Sequence, residues 1–364
     1  MRFKKSAANF ITLILILALT NLVFSQETRP IRDEIGFCWN GDEMNAFMEF
    51  LGQNNINADS ITNQNLIAAV SPHDDYLYAG NVYFPLFSHV RAKEAIVFGV
   101  THGTVRREIA DPKNILILDD YKYWQGPYGK VAVSSLRERI KNGMNPKDYL
   151  VSNKAHSLEH SIEALIPFLQ YFNREIKITP VMVTAMSYEE MDKISDQISQ
   201  IITEYIKENQ LTPGKDIIFL VSSDANHYGA DFNNTPYGED AAAHNKATMI
   251  DRQIARDIFD GIITKERVNQ IPGKLWDNPE KQRIVPLWCG RYPIPFGLLT
   301  VIKIMDKEDD KVLTGRVIRY SDTWSEKVLP FKEAQMGITA PFSVNHWVGF
   351  LSAGFYLQEK NKIR

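Results

Sequence analysis

The chain has 364 residues, 44% hydrophobic and 23% charged, with a formal charge of −3. That balance excludes a disordered or fibrous chain, and the lack of a basic excess excludes a nucleic-acid-binding face. The length suits one large domain or two ordinary ones.

The N-terminus carries a targeting pattern. Arg2, Lys4 and Lys5 precede an apolar core from Phe10 to Phe24, and Val23 and Ser25 stand where a signal peptidase takes small residues. Residues 1–25 are expected to be a signal peptide, so that the protein is exported to the periplasm or beyond, and residues 26–360 to form the folded domain. A retained anchor is the alternative, because Ser6 to Ser25 is uncharged and of nearly spanning length. Asn21 interrupts it and favours cleavage, which predicts no stable membrane insertion.

Beyond the leader, Met44 to Leu51 reads as a helix. The apolar run Ile67–Val70 reads as a strand, followed by a helix from Val82 to Val90. Ala95–Val100 is a second strand, Ile115–Leu118 is apolar, and Trp124–Gly129 has turn chemistry. His156 to Phe172 has helical periodicity, with Pro167 predicting a kink or break. A strand at Ile176–Val183, a helix at Met191–Ile206, a strand at Asp216–Val221 and a helix at Asp240–Ile258 follow. Ile284–Trp288 reads as a further buried strand, Tyr292–Ile304 as a helix, and Lys311–Tyr320 and Trp347–Tyr356 as late strands. Alternating strands and helices without a composition break predict an α/β fold: a single domain with a central, largely parallel or mixed sheet flanked by helices.

Four of the apolar runs end in chemistry-bearing clusters: Pro72-His73-Asp74-Asp75, Thr101-His102-Gly103, Ser222-Ser223-Asp224-Ala225-Asn226-His227 and Cys289-Gly290-Arg291. Ligands of open α/β sheets bind beyond the carboxyl ends of the strands, so these clusters are expected to meet in one composite polar site. Each has a plainer alternative. Asp74 and Asp75 suit helix caps, His102 a buried imidazole satisfied by backbone, Asp224 a helix cap, and Cys289 a buried apolar thiol. Repetition of the theme favours a site holding a metal, and a thiolate at Cys289 favours soft or redox-active ions such as Cu(I). Asp224 is a candidate to orient His227 as acid–base residue. Cys38 and Cys289, the two cysteines, could also pair in an oxidising compartment. His156-Ser157-Leu158-Glu159-His160 matches a zinc-peptidase pattern that needs both imidazoles on one helical face.

Taken together, the segments Pro72-His73…Tyr76-Leu77-Tyr78-Ala79-Gly80, Thr101-His102, Glu159-His160-Ser161-Ile162-Glu163…Pro167-Phe168-Leu169, Ser222-Ser223-Asp224…His227-Tyr228-Gly229 and Cys289-Gly290-Arg291…Pro293-Ile294 resemble the Memo family, whose bacterial members are called AmmeMemoRadiSam system protein B. The likeness spans roughly residues 29–357 in one order. It implies a fold like that of class III extradiol dioxygenases and a metal set of His73, His102 and Cys289. Asp74, at a position where this chain departs from the family, is a candidate extra oxygen ligand, and the ion would be Fe or Cu. Asp224 and His227 are implied to line the same cleft; His227, oriented by Asp224, is then expected as the acid–base residue, and His160 with Glu159 as a supporting or substrate-contacting pair. This chain has Asp74-Asp75 where the family pattern has Ala-Gly, and Gly103 where many members have a second His. Three functions follow as expectations. The first is a metal-dependent oxidoreductase of unknown substrate. The second is a non-catalytic protein binding a small molecule or peptide, and the third a zinc hydrolase using His156, His160 and Glu159.

Overall fold

Seven strands make the body of the sheet, and their sequences explain why. Leu66–Ser71 (β1), Glu94–Gly99 (β2), Lys177–Val183 (β3) and Ile217–Ser222 (β4) are short apolar runs, and β1, β2 and β4 are buried along their whole length. Asp224–Tyr228 (β5), Lys311–Asp322 (β6) and Trp347–Glu359 (β7) complete the set. The computed structural model describes residues 27–54, 65–276, 284–306, 310–332 and 335–362. The segment expected to be a signal peptide lies outside them.

The order across the sheet is β3-β2-β4-β1-β7-β6. The first four strands are parallel, β7 runs antiparallel to β1, and β6 and β5 both pair antiparallel with β7. Beyond β3, Gly129–Val133 extends the sheet in parallel, and a hairpin leads to Tyr123–Gly126. The sheet is therefore mixed, with a parallel centre.

Side chains along the central strands alternate between two cores. Ile96, Phe98, Phe219 and Val221 face one apolar cluster, while Ala95, Val97, Ile218 and Leu220 face the other. The second cluster takes in helices Gly41–Asn54 (α1) and Tyr76–Phe87 (α2); the first takes in Tyr188–Glu208 (α4), Ala241–Phe259 (α5) and Pro293–Met305 (α6). A short helix, Gly103–Glu108 (α3), follows β2. Burial on both faces is why these strands read as continuous apolar runs rather than alternating ones. Local capping agrees: Ser187 accepts from Glu190 N at 3.2 Å and Asp240 from Ala243 N at 2.9 Å, starting α4 and α5. Among the described residues no helix is long and apolar enough to cross a membrane.

Three expectations fail locally. His156 to Phe172 is not one helix kinked at Pro167. A helix over Asn153–Leu158 stops, and a new one, Ile166–Phe172, carries Pro167 in its first turn, where the missing N–H costs nothing. The break falls at Glu159, whose carboxylate takes the His160 and Ser161 backbone N–H groups at 3.0 and 2.9 Å. Ile284–Leu287 is irregular rather than a strand. Pro286 cannot donate to a ladder, Ile284 is 52% exposed, and the pairing is reduced to one bridge between Asn226 and Trp288. Conversely, the Asp224–His227 segment, read from the sequence as a polar cluster ending a strand, itself belongs to strand β5, with an irregular register against β7 between Asp224 and His227.

Candidate functional site

The parallel centre brings the carboxyl ends of β1, β2 and β4 to one edge, and the clusters after them line a cavity of about 930 Å³. His73 follows β1, His102 follows β2, Asp224 and His227 follow β4, and Cys289 arrives on a short 3₁₀ turn ahead of α6. Two glycines permit the close approach. A Cβ on Gly99 would overlap Ile162, which belongs to the segment carrying Glu159 and His160, and a Cβ on Gly290 would overlap Ser223.

The His73 ring is oriented by a single hydroxyl, that of Ser222. Ser222 Oγ donates to Ser161 O at 2.6 Å, which leaves its oxygen to accept from His73 Nδ1 at 2.8 Å. This network assigns the proton to Nδ1 and leaves the lone pair on Nε2. Nε2 is buried and unbonded; Asp224 Oδ2 lies 3.2 Å away without hydrogen-bond geometry. His102 is set the same way. Its Nδ1 donates to Glu159 Oε1 at 2.7 Å and its backbone N to Glu159 Oε2 at 3.0 Å, freeing Nε2. A carboxylate behind an imidazole is the usual device for fixing a ligating tautomer. The three imidazoles cluster: His102 stacks on His160 with centroids 4.7 Å apart, and His73 lies edge-on to both at 5.2 and 5.5 Å.

Three groups of side chains place one ligand atom each within 4.8 Å of one another: His73, His102 and Cys289; His102, Glu159 and His160; and Asp224, His227 and Cys289. Asp74 lines the cavity but belongs to none of them; its Oδ1 accepts from Asp75 N at 2.6 Å. Asp224 does not orient His227 through a hydrogen bond. Its Oδ1 accepts from His73 N at 2.9 Å, while His227 Nδ1 faces Ala225 O at 3.3 Å and Nε2 lies 3.5 Å from Cys289 Sγ. His156, required by the zinc-peptidase pattern, is elsewhere. It is buried against Trp124, its Nε2 bonds Ile117 O at 3.0 Å, and the helix has ended before His160. The zinc-hydrolase expectation has no helix to stand on.

Charge in the cavity is strongly perturbed. Burial opposes the Cys289 thiolate, yet His227 and His102 hold the thiol well below its ordinary value. Burial likewise opposes charge on His227, but Cys289 and Asp224 push it up to about 9. His102 rises well above its usual value against burial, through Glu159 and Cys289; burial and the His102 and His73 rings push His160 well below. Burial, with Asp224, raises Asp74 well above the carboxylate range, and burial brings Asp75 to about 6. Clustered shifts of this kind mark functional sites. Both cysteines are free: Cys38 lies in the apolar core, where burial pushes its thiol up to about 12.

Several lining residues carried no recognisable signal in the sequence, among them Arg106, Arg107, Phe232, Phe342 and His346. The spacing of His102 and Arg106 offered the one hint, since residues four apart on a helical turn share a side. Deeper still, Asp251 of α5 accepts from Trp288 Nε1 at 3.0 Å, Asn226 N at 3.2 Å and Tyr320 Oη at 2.9 Å, clamping the residues next to Cys289 and His227.

Comparison with known proteins fits this geometry. A MEMO1 family protein of Saccharolobus islandicus (strain L.S.2.15 / Lassen #1) is 30% identical over 199 residues, covering 53% of this chain and 63% of that protein. A MEMO1 family protein of Aquifex aeolicus (strain VF5) is 31% identical over 166 residues, covering 44% of this chain and 54% of that protein. The chain thus spans less than two thirds of the length of these curated relatives. The model of the Memo-like protein family matches residues 37–323, a stretch that holds His73, His102, Glu159, His160, Asp224, His227 and Cys289. The chain belongs to the Memo-like protein family.

Proposed function

We propose that this protein binds one redox-active metal ion, iron or copper, through His73, His102 and Cys289, and acts as an oxidoreductase. The observation that carries this reading is the buried His73 Nε2 that makes no hydrogen bond, on a side chain that shares a 4.8 Å ligand cluster with His102 and Cys289. A buried imidazole nitrogen with no partner is costly unless something completes it. Two imidazole nitrogens and a thiolate suit copper or iron better than magnesium or calcium. When bound, such an ion supplies electron transfer and open coordination positions. The chain's own groups would do the rest. Glu159 and Ser222 hold the two ligand tautomers, His227 Nε2 can hold or release a proton 3.5 Å from Cys289, and the cavity walls orient a substrate. Export of the protein through residues 1–25 belongs to the same proposal.

Metal content of protein purified without a metal-affinity tag tests it, with His73→Ala and Cys289→Ser alongside. Near-stoichiometric iron or copper, lost in both variants, is the expected result; a wild type that takes up neither after reconstitution refutes it. The size of the cavity favours one second reading, a non-catalytic protein that binds a small molecule or peptide. That reading predicts unchanged metal content in both variants.

A further inference from the structure

Two arginines stand beside His102, and neither forms an ion pair among the described residues. Arg106 and Arg107 lie on α3, and a Cβ built on Gly103 would meet Arg107 Nη1 at 3.5 Å and Arg106 Nη2 at 3.7 Å. Both guanidiniums therefore converge on one point, directly after a proposed metal ligand. Arg106 Nε is buried and makes no hydrogen bond, and Arg107 reaches only Thr104 Oγ1, at 3.3 Å, among the described residues. Three acids of the site are otherwise engaged. Glu159 accepts from His102, His160 and Ser161; Asp224 accepts from His73; and Asp75 accepts from Thr339 N at 2.6 Å.

Converging like charges repel, and a buried guanidinium N–H without an acceptor costs free energy. An anion that accepts from both removes both penalties, and a planar guanidinium fork matches a carboxylate or a phosphate. Another part of the cavity lining is aromatic: Phe232 lies 5.0 Å from the His227 and His346 rings, and Phe342 lies 5.3 Å from His346.

We propose that Arg106 and Arg107 bind the oxyanion group, carboxylate or phosphate, of a substrate whose planar apolar body lies against Phe232 and Phe342. This names a substrate class for the proposed metal centre and rests on that reading for its place beside the chemistry.

Titration calorimetry on the protein as purified, with benzoate, phenylphosphonate and benzyl alcohol as probes, tests it. Metal content is measured on every sample. At least one of the two anions should bind some 10-fold or more tightly than the alcohol, and the stronger of the two identifies the oxyanion. Arg106→Gln should weaken that anion roughly 10- to 100-fold with metal content unchanged. Arg106→Lys, which keeps charge but loses the fork, should fall between. If Arg106→Gln fails to melt cooperatively, Arg107→Gln replaces it with the same expectation. Equal binding of alcohol and anions, no saturable binding of either anion, or an arginine variant that binds as wild type overturns the inference. Metal retained without anion selectivity refutes this inference and leaves the metal centre standing; anion selectivity without metal does the reverse.

Discussion

Replacing Glu159 by Gln removes one negative charge from a buried position while keeping its shape. The carboxylate is 2% exposed and accepts four N–H groups: His102 Nδ1 at 2.7 Å, His160 N at 3.0 Å and Ser161 N at 2.9 Å on Oε1, and His102 N at 3.0 Å on Oε2. An amide with its oxygen in the Oε1 position keeps three of these and turns its NH₂ against His102 N. Losing one bond to a charged acceptor costs roughly 1.5–3 kcal/mol, and the remaining bonds fall towards neutral strength. Destabilisation of about 3 kcal/mol is therefore expected in urea melts at pH 7. Metal affinity, read by competition with a chromophoric chelator, should fall about 10- to 100-fold, because His102 loses the group that fixes its tautomer and raises its basicity. The pH dependence has a definite sign. Burial opposes the Glu159 carboxylate, but His102 and His160 hold it well below its ordinary 4.5, so its contribution is present above pH 4.5 and is lost as pH falls through the folded value. The stability gap between wild type and variant should narrow in acid. A variant that loses stability as expected yet binds metal within two-fold of wild type would refute the argument, leaving Glu159 as a loop anchor only.

Three further outcomes follow from neighbouring groups. Burial brings Asp251 to about 7, so the stability it contributes is full below the unfolded value near 3.8 and is lost as pH rises from there through 7; Asp251→Asn should flatten the fall in urea midpoint that wild type shows between about pH 4 and 7. Gly290→Ala drives a Cβ into Ser223 and should cost about 1–3 kcal/mol in thermal melts while displacing Cys289 enough to reduce metal retention; a variant of unchanged stability would contradict the close approach. In metal-free protein at pH 7, iodoacetamide should label Cys289 rapidly and Cys38 hardly at all, with His227→Ala slowing Cys289; peptide mapping that finds equal labelling of the two would show that Cys289 is not held as a thiolate.

Much of this architecture is decided locally. Runs such as Ile217–Val221 and Ala95–Phe98 are apolar on both faces, so they belong in a covered sheet whatever surrounds them. The positions of His73, His102 and Cys289 after apolar runs, and the ordered motifs of the Memo-like family, are likewise properties of the chain alone. Tertiary structure decided what those residues do to one another. The HSLEH segment satisfies a helical spacing rule, but Glu159 spends its carboxylate on backbone N–H groups and His102, which ends the helix and parts His156 from His160. Ile284–Leu287 has strand-like composition, yet Pro286 and exposure keep it out of the ladder, while the polar segment Asp224–Tyr228 is a strand because β7 offers it an edge. Arg106 and Arg107 look like solvated helix charges until Gly103 and the cavity gather them beside His102. Periodicity and turn chemistry report on neighbours within a few residues, so they settle which elements form. The partners that set His102 and His73 lie 57 and 151 positions away, at Glu159 and Asp224, and only the folded chain brings them together.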